Sequence, residues 1–150
     1  MIVRKAGVAG KTRGAVAVET ALVMILFTSM VFGTFEFCRL FMDWNLLNNA
    51  AREGCRYALV NNTSSTISSD VSTTVNNFMA GENTNFTNFT VTVSGIHNGA
   101  GTAVNNLSAG DLITVTVSGT YRFMNIIPLI TMPTTLTLTT AVTMGCEGGT

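Results

Sequence analysis

Hydrophobic positions in this 150-residue chain fall into three regimes along its length. From Ala15 to Phe35 apolar residues dominate without a period, interrupted by one carboxylate, Glu19, and by small polar residues such as Thr28, Ser29 and Thr34. Next come Leu40, Trp44, Leu47, Ala51, Gly54 and Ala58, spaced four, three, four, three and four, an apolar stripe down one side of a helix. No proline stands between Ala15 and Val60, and glycine appears there only at Gly33 and Gly54, so one continuous helix is predicted over residues 15–60. Such a helix would be roughly 70 Å long, and residues 15–35 alone give about 31 Å, enough for a hydrocarbon core of about 30 Å. The remainder must stand outside the membrane as a stem.

After Val60 the chain turns polar at Asn61-Asn62-Thr63-Ser64-Ser65-Thr66, a hinge of turn-forming side chains. Val71, Val75, Phe78 and Met79 then fit a second, shorter helix, capped by Ser69 or Asp70 and closed by Gly81. Beyond Gly81 the period becomes two. Phe86, Phe89, Val91 and Val93, then Ile113, Val115 and Val117, then Leu136, Leu138 and Val142 alternate with threonines and serine, which predicts three strands. The fold class is therefore α+β: a long N-terminal transmembrane and stem helix, then a small head of one short helix and an antiparallel sheet of about three strands. The stretch from Ile96 to Gly101 reads as a turn-rich connection, and Asn105-Asn106 with Gly110-Asp111 as another. Between the last two strands, Ile126, Ile127, Leu129 and Ile130 around Pro128 form a loop too apolar to lie uncovered in water, so it should touch the stem, lipid or another subunit.

Charge places this architecture relative to a membrane. Arg4, Lys5, Lys11 and Arg13 all precede Gly14, and by the positive-inside rule this segment stays cytoplasmic while everything past the span is exported. From Ala15 onward four basic residues, Arg39, Arg52, Arg56 and Arg122, face eight acidic ones, so nucleic acid is not an expected partner. A carboxylate in a span costs a few kcal/mol at its centre and less near its edge, so Glu19 needs a partner or a task. Cleavage between Gly14 and Ala15 would supply one, because the new α-amino group would lie four residues before Glu19 or within reach of a neighbour's carboxylate. A secretory signal peptide would be cut after the apolar run, where Phe32-Gly33-Thr34 offers a poor site with a bulky residue. A glycine, a cut, and a glutamate fifth in the mature chain resemble type IV pilin-like proteins. The expected divisions are thus a leader at 1–14, the helix at 15–60 and an exported head at 61–150.

Residues suited to chemistry are sparse. His97 is the lone histidine and sits in a glycine-rich turn, which reads as an ordinary surface residue and excludes a histidine triad or multi-histidine metal site built on a second one. Gly99-Ala100-Gly101 lacks the spacing of a phosphate-binding loop. Asp70, Glu82, Asp111 and Glu147 lack the spacing of a calcium loop, so neither a metal nor a cofactor is expected. The Asn-x-Ser/Thr triplets at Asn61, Asn62, Asn85, Asn88 and Asn106 are what a segment rich in Asn and Thr produces by chance. Glu36, Arg39 and Asp43, spaced i, i+3, i+7, read as a solvated or headgroup-level ion-pair ladder, with an intersubunit contact as the alternative.

Glu36-Phe37-Cys38-Arg39-Leu40, followed by Asn49-Ala50-Ala51-Arg52-Glu53-Gly54-Cys55-Arg56-Tyr57-Ala58, resembles the TadE-like family of the tight-adherence (Tad, or Flp) pilus apparatus. Gly110 to Val117 and the strand from Leu136 to Met144 fit the same family more weakly. The resemblance implies a structural minor pilin or pseudopilin, not an enzyme, matured by a prepilin peptidase and serving pilus assembly and surface adherence. Its partners would be that peptidase, other pilin or pseudopilin subunits, and inner-membrane lipid. On this chain Gly14 and Ala15 would flank the scissile bond and Glu19 would be the assembly glutamate. Cys38 and Cys55 stand where the family usually has small residues, and Thr20 where pilins often have an aromatic one. The alternative is an uncleaved single-pass protein whose extracytoplasmic head is a binding module. Export into an oxidising compartment leads us to expect a disulfide between Cys55, at the end of the stem, and Cys146, after the last strand, with two buried free thiols as the other possibility; Cys38 would stay free or pair between subunits.

Overall fold

The computed structural model describes residues 9–124 and 134–146. One helix, α1 (Ala9–Val60), leads into α2 (Ile67–Met79) and then into strands β1 (Phe86–His97), β2 (Ala100–Thr102), β3 (Leu112–Arg122) and β4 (Thr135–Gly145). Two single turns of 3-10 helix, Glu82–Asn85 and Val104–Asn106, fill the corners. The sheet is antiparallel throughout, in the order β2-β1-β3-β4. Its inner face packs on the upper part of α1 and on α2, and its outer face is solvated.

The head has four strands where periodicity predicts about three. The additional strand arises from Asn98-Gly99, both with left-handed backbone (φ 49° and 80°), which fold β1 back on β2 with His97 opposite Ala100. A two-residue loop needing positive φ at both positions is the best-attested use of an Asn-Gly pair, so the turn-rich connection is a hairpin.

The second helix begins earlier than its expected cap at Ser69 or Asp70. It starts at Ile67 behind Thr66, whose hydroxyl bonds the Asp70 carboxylate at 2.7 Å, and Asp70 lies in the first turn, where a carboxylate complements the helix dipole. Ile67, Val71, Val75 and Met79 are buried, while Phe78 faces outward; the helix ends with Ala80 and Gly81 in left-handed geometry (φ 49° and 96°).

On α1 the buried side is rotated slightly from the expected stripe. Leu47, Ala51, Gly54 and Ala58 lie against the head as expected, joined by Asp43, Ala50 and Cys55, whereas Trp44 is 46% exposed. Gly54, in a stretch of small buried residues at 50, 51, 54, 55 and 58, brings Val71 and Val75 of α2 close to the helix backbone. The apolar loop segment from Ile126 to Ile130, together with Glu147, lies outside the described residues.

Candidate functional site

Two regions of α1 carry what the sequence marks as functional. The lower one is largely uncovered: from Gly14 to Phe35 almost every residue is exposed, including Val18, Leu22, Leu26 and Met30, and the described head comes near only its upper end, at Phe32 and Phe35. Among the described residues one helix is long and apolar enough to cross a membrane, and this stretch is its most apolar part. Ser29 and Thr34 return their hydroxyls to the carbonyls of Ile25 and Met30, and Thr20 does the same to Val16, so these polar side chains are satisfied within the helix. Gly14 and Ala15 lie on the exposed helix surface, and Glu19 is exposed one turn above Ala15, with no salt bridge among the described residues.

The upper region is the junction with the head, and here the structure revises the reading of Glu36, Arg39 and Asp43. They share a face, but that face is turned to the sheet rather than to solvent. Glu36 Oε1 accepts hydrogen bonds from the Tyr121 hydroxyl at 2.9 Å and the Met124 backbone N–H at 3.1 Å, tying the bottom of β3 to the first turn above the span. Arg39 lies 3.8 Å from Glu36 and stacks 5.2 Å from the Tyr121 ring centre. Asp43 is fully buried with neither carboxylate oxygen hydrogen-bonded; burial pushes its carboxyl pKa up, with Arg39 one turn below pulling the other way. Burial and the bond to Glu36 raise the Tyr121 hydroxyl to about 12, so it remains a donor at any physiological pH. Higher on the stem Asn48 accepts a hydrogen bond from Thr140 of β4. A groove of about 520 Å³, lined by Phe32, Phe35, Glu36, Arg39, Asn85 and Met124, lies where the span meets the head. The sequence carries no local signal that Tyr121 or Thr140 would meet the stem, since both contacts join residues more than eighty positions apart.

His97 has a partner that its glycine-rich surroundings do not suggest. Its Nδ1 lies 2.7 and 2.8 Å from the two oxygens of Asp111, which also accepts the Ser108 backbone N–H. That backbone bond first, then His97, holds the Asp111 carboxyl below the usual carboxylate range. The pair, with Asn98 Nδ2 3.0 Å from the other ring nitrogen of His97, fastens the tip of the β1–β2 hairpin to the turn before β3, a structural role. Among the described residues no group of three or more His, Cys, Asp or Glu is placed to hold a metal ion. Cys55 and Cys146 are buried, Cys38 is exposed, and all three are free thiols in this structure.

The exposed span, the lone Glu19 and the polar junction all lie on one continuous helix, and comparison with known families falls on that same helix. Residues 14–56 match the family model of TadE-like protein. The TadE-like segment opens at Gly14, takes in the whole apolar span and the junction residues, and ends one residue beyond Cys55, before the hinge. No curated protein and no solved structure matches the chain. The TadE-like family is a structural one, associated with the Tad pilus and pilin-like in character.

Proposed function

We propose that this chain is a minor pilin or pseudopilin of a Tad-type pilus: a structural subunit held in the inner membrane by α1, with its basic leader cytoplasmic and its head exported. The observation that carries the reading is the uncovered apolar helix of the TadE-like segment, which begins at Gly14 and carries a single carboxylate one turn inside. Nothing in the described head needs that helix exposed, and a soluble protein would bury it. In lipid it is an anchor; packed against other such helices it becomes the core of an assembly, and pilus assembly and surface adherence are the role this serves. The divisions follow, with residues 1–14 removed as leader, 15–60 as anchor and stem, and 61–150 as the displayed head.

Processing by a prepilin peptidase between Gly14 and Ala15 is the first test. Intact mass of the protein extracted from membranes should correspond to a chain starting at Ala15. A dominant species starting at Met1 or just after Gly33 would reject this cut, and a Met1 start would favour the uncleaved anchor with a binding head.

Glu19 is the second test. The freed amine at Ala15 would pair with this carboxylate, in the same helix or a neighbouring one, at a depth where neither charge is well hydrated. Glu19→Ala should leave membrane insertion intact or slightly improved and abolish recovery of the subunit in sheared pili or their membrane assembly complex. Normal recovery of the variant would show that the carboxylate has no part in assembly.

A further inference from the structure

The free edge of β4 is the open flank of the head. β4 pairs with β3 on one side, and among the described residues nothing pairs with its other side over the eleven residues Thr135–Gly145. That edge carries no charge and no proline, the features that usually keep a strand edge from adding another strand. The opposite edge of the sheet is partly closed. β2 covers Gly95, Ile96 and His97, and a bulge with Asn88 at φ 55° interrupts the lower end, so that among the described residues nothing pairs with 90–94 of β1 on their outer side.

Strand direction restricts what can join these edges. Along β3, Ile113 lies by Cys55 and Tyr121 by Glu36, so β3 runs opposite to α1. β1 and β4 are both antiparallel to β3 and therefore run with α1. Two copies anchored in one membrane by α1 share this direction. Antiparallel pairing of β4 with β4 would turn one anchor away from the membrane, whereas β4 of one copy beside β1 of the next keeps both anchors aligned. Both faces of such a joint also match. With Ala141 beside Thr92, the outer face would set Thr139, Ala141 and Thr143 against Thr90, Thr92 and Ser94, and the inner face would set the half-buried Val142 beside Val93.

We infer that β4 of one copy adds in parallel to residues 90–94 of β1 in a second copy, joining heads head-to-tail through a continuous sheet. The contact is heterologous, so each added copy retains a free edge and the product is a row or ring rather than a closed pair. This rests on the proposed membrane anchoring by α1, and the test separates the two. Full-length protein in its membrane, with Cys38→Ala to remove the exposed native thiol, would carry Ala141→Cys in one tagged copy and Thr92→Cys in a second, expressed alone or together, and be treated with a short bismaleimide; the two cysteines are kept on separate copies because within one chain both positions stand opposite Thr116. Co-expression should give a dimer holding one copy of each kind, and each variant alone should remain monomeric. Adding Thr139→Lys to the Ala141→Cys copy should remove that dimer, because a charge on the edge opposes strand addition. Dimers from Ala141→Cys alone, co-expressed copies that stay monomeric in carbonate-washed membranes, or a mixed dimer indifferent to Thr139→Lys would each overturn the inference while leaving the anchoring intact. Release of the protein by carbonate would overturn the anchoring reading, and the parallel joint with it.

Discussion

Replacing Gly54 by valine should unseat α2 from the stem and destabilise the head by about 3 kcal/mol or more, at the upper end of what overpacking a core costs. A Cβ built at Gly54 would come within 2.7 Å of Val75 Cγ2, 3.3 Å of Val71 Cγ1 and 3.5 Å of Val115 Cγ1. Those three valines are fully buried and belong to α2 and β3, so the stem, the short helix and the sheet all meet at this one position. Relief in one direction compresses another. Alanine is the informative comparison, because it adds the single clashing carbon while gaining up to about 1 kcal/mol of helix propensity over glycine. Its net effect should therefore be much smaller than that of valine. At Gly33 an added Cβ meets nothing within 4 Å, so Gly33→Val should leave the head unaffected. Thermal unfolding followed by circular dichroism, with limited proteolysis at the 61–66 hinge, would measure the difference. A Gly54→Val protein melting with the parent would mean that α2 does not pack on the stem as described.

Gly54 also shows why part of this structure was legible in the sequence and part was not. An unbroken run free of proline specifies a long helix whatever surrounds it, and alternation of valine with threonine specifies strands with one face buried; α1, β1, β3 and β4 all follow from those patterns. Which side of the stem faces the head is a finer matter, because neighbouring residues on a helix differ by about 100° in direction. Hydrophobicity alone selects Trp44 and rejects Asp43, yet the structure buries Asp43 and exposes Trp44. What reverses the choice is long-range: Tyr121 and Met124 reach Glu36, Arg39 stacks on Tyr121, and the face carrying these residues turns toward the sheet with Asp43 in its middle. No periodicity encodes a contact between positions 36 and 121. The β1–β2 hairpin is different, since its Asn98-Gly99 signal was present locally, and the short three-residue β2 gave no alternation to accompany it. The pairing of His97 with Asp111 follows from that hairpin, which brings residues fourteen apart to one end of the sheet.

Protein taken from an oxidising compartment is expected to carry a disulfide between Cys55 and Cys146, although both are thiols in this structure. Cys55 is fully buried, with its Sγ 3.5 Å from the Ile113 carbonyl, and Cys146 is 6% exposed just past the end of β4. Ile113 pairs with Met144 and Leu112 with Gly145, so β4 delivers Cys146 close to the level of Cys55 on the stem. The two are near enough for Cys146 to contribute to the raised Cys55 pKa, after burial as its main cause. Bond formation would pass two electrons and two protons from the thiols to a disulfide-bearing oxidant, whose own disulfide breaks to leave a dithiol. A thiol whose pKa is raised is a poor nucleophile once buried, so the exchange should occur before the sheet closes over the stem. The bridge would close a loop of about 90 residues and stabilise the head by roughly 4–5 kcal/mol in the chain-entropy view. It would also fasten the top of the sheet to α1, while Glu36, Tyr121 and Met124 fasten the bottom. Alkylation of the full-length protein under denaturing, non-reducing conditions, followed by digestion, should yield Cys55 and Cys146 in one linked peptide pair. Cys38, exposed on the stem, gives the positive control for the reagent wherever it is free. Two separately alkylated peptides for Cys55 and Cys146 would show that the head is held to its stem by packing and hydrogen bonds alone.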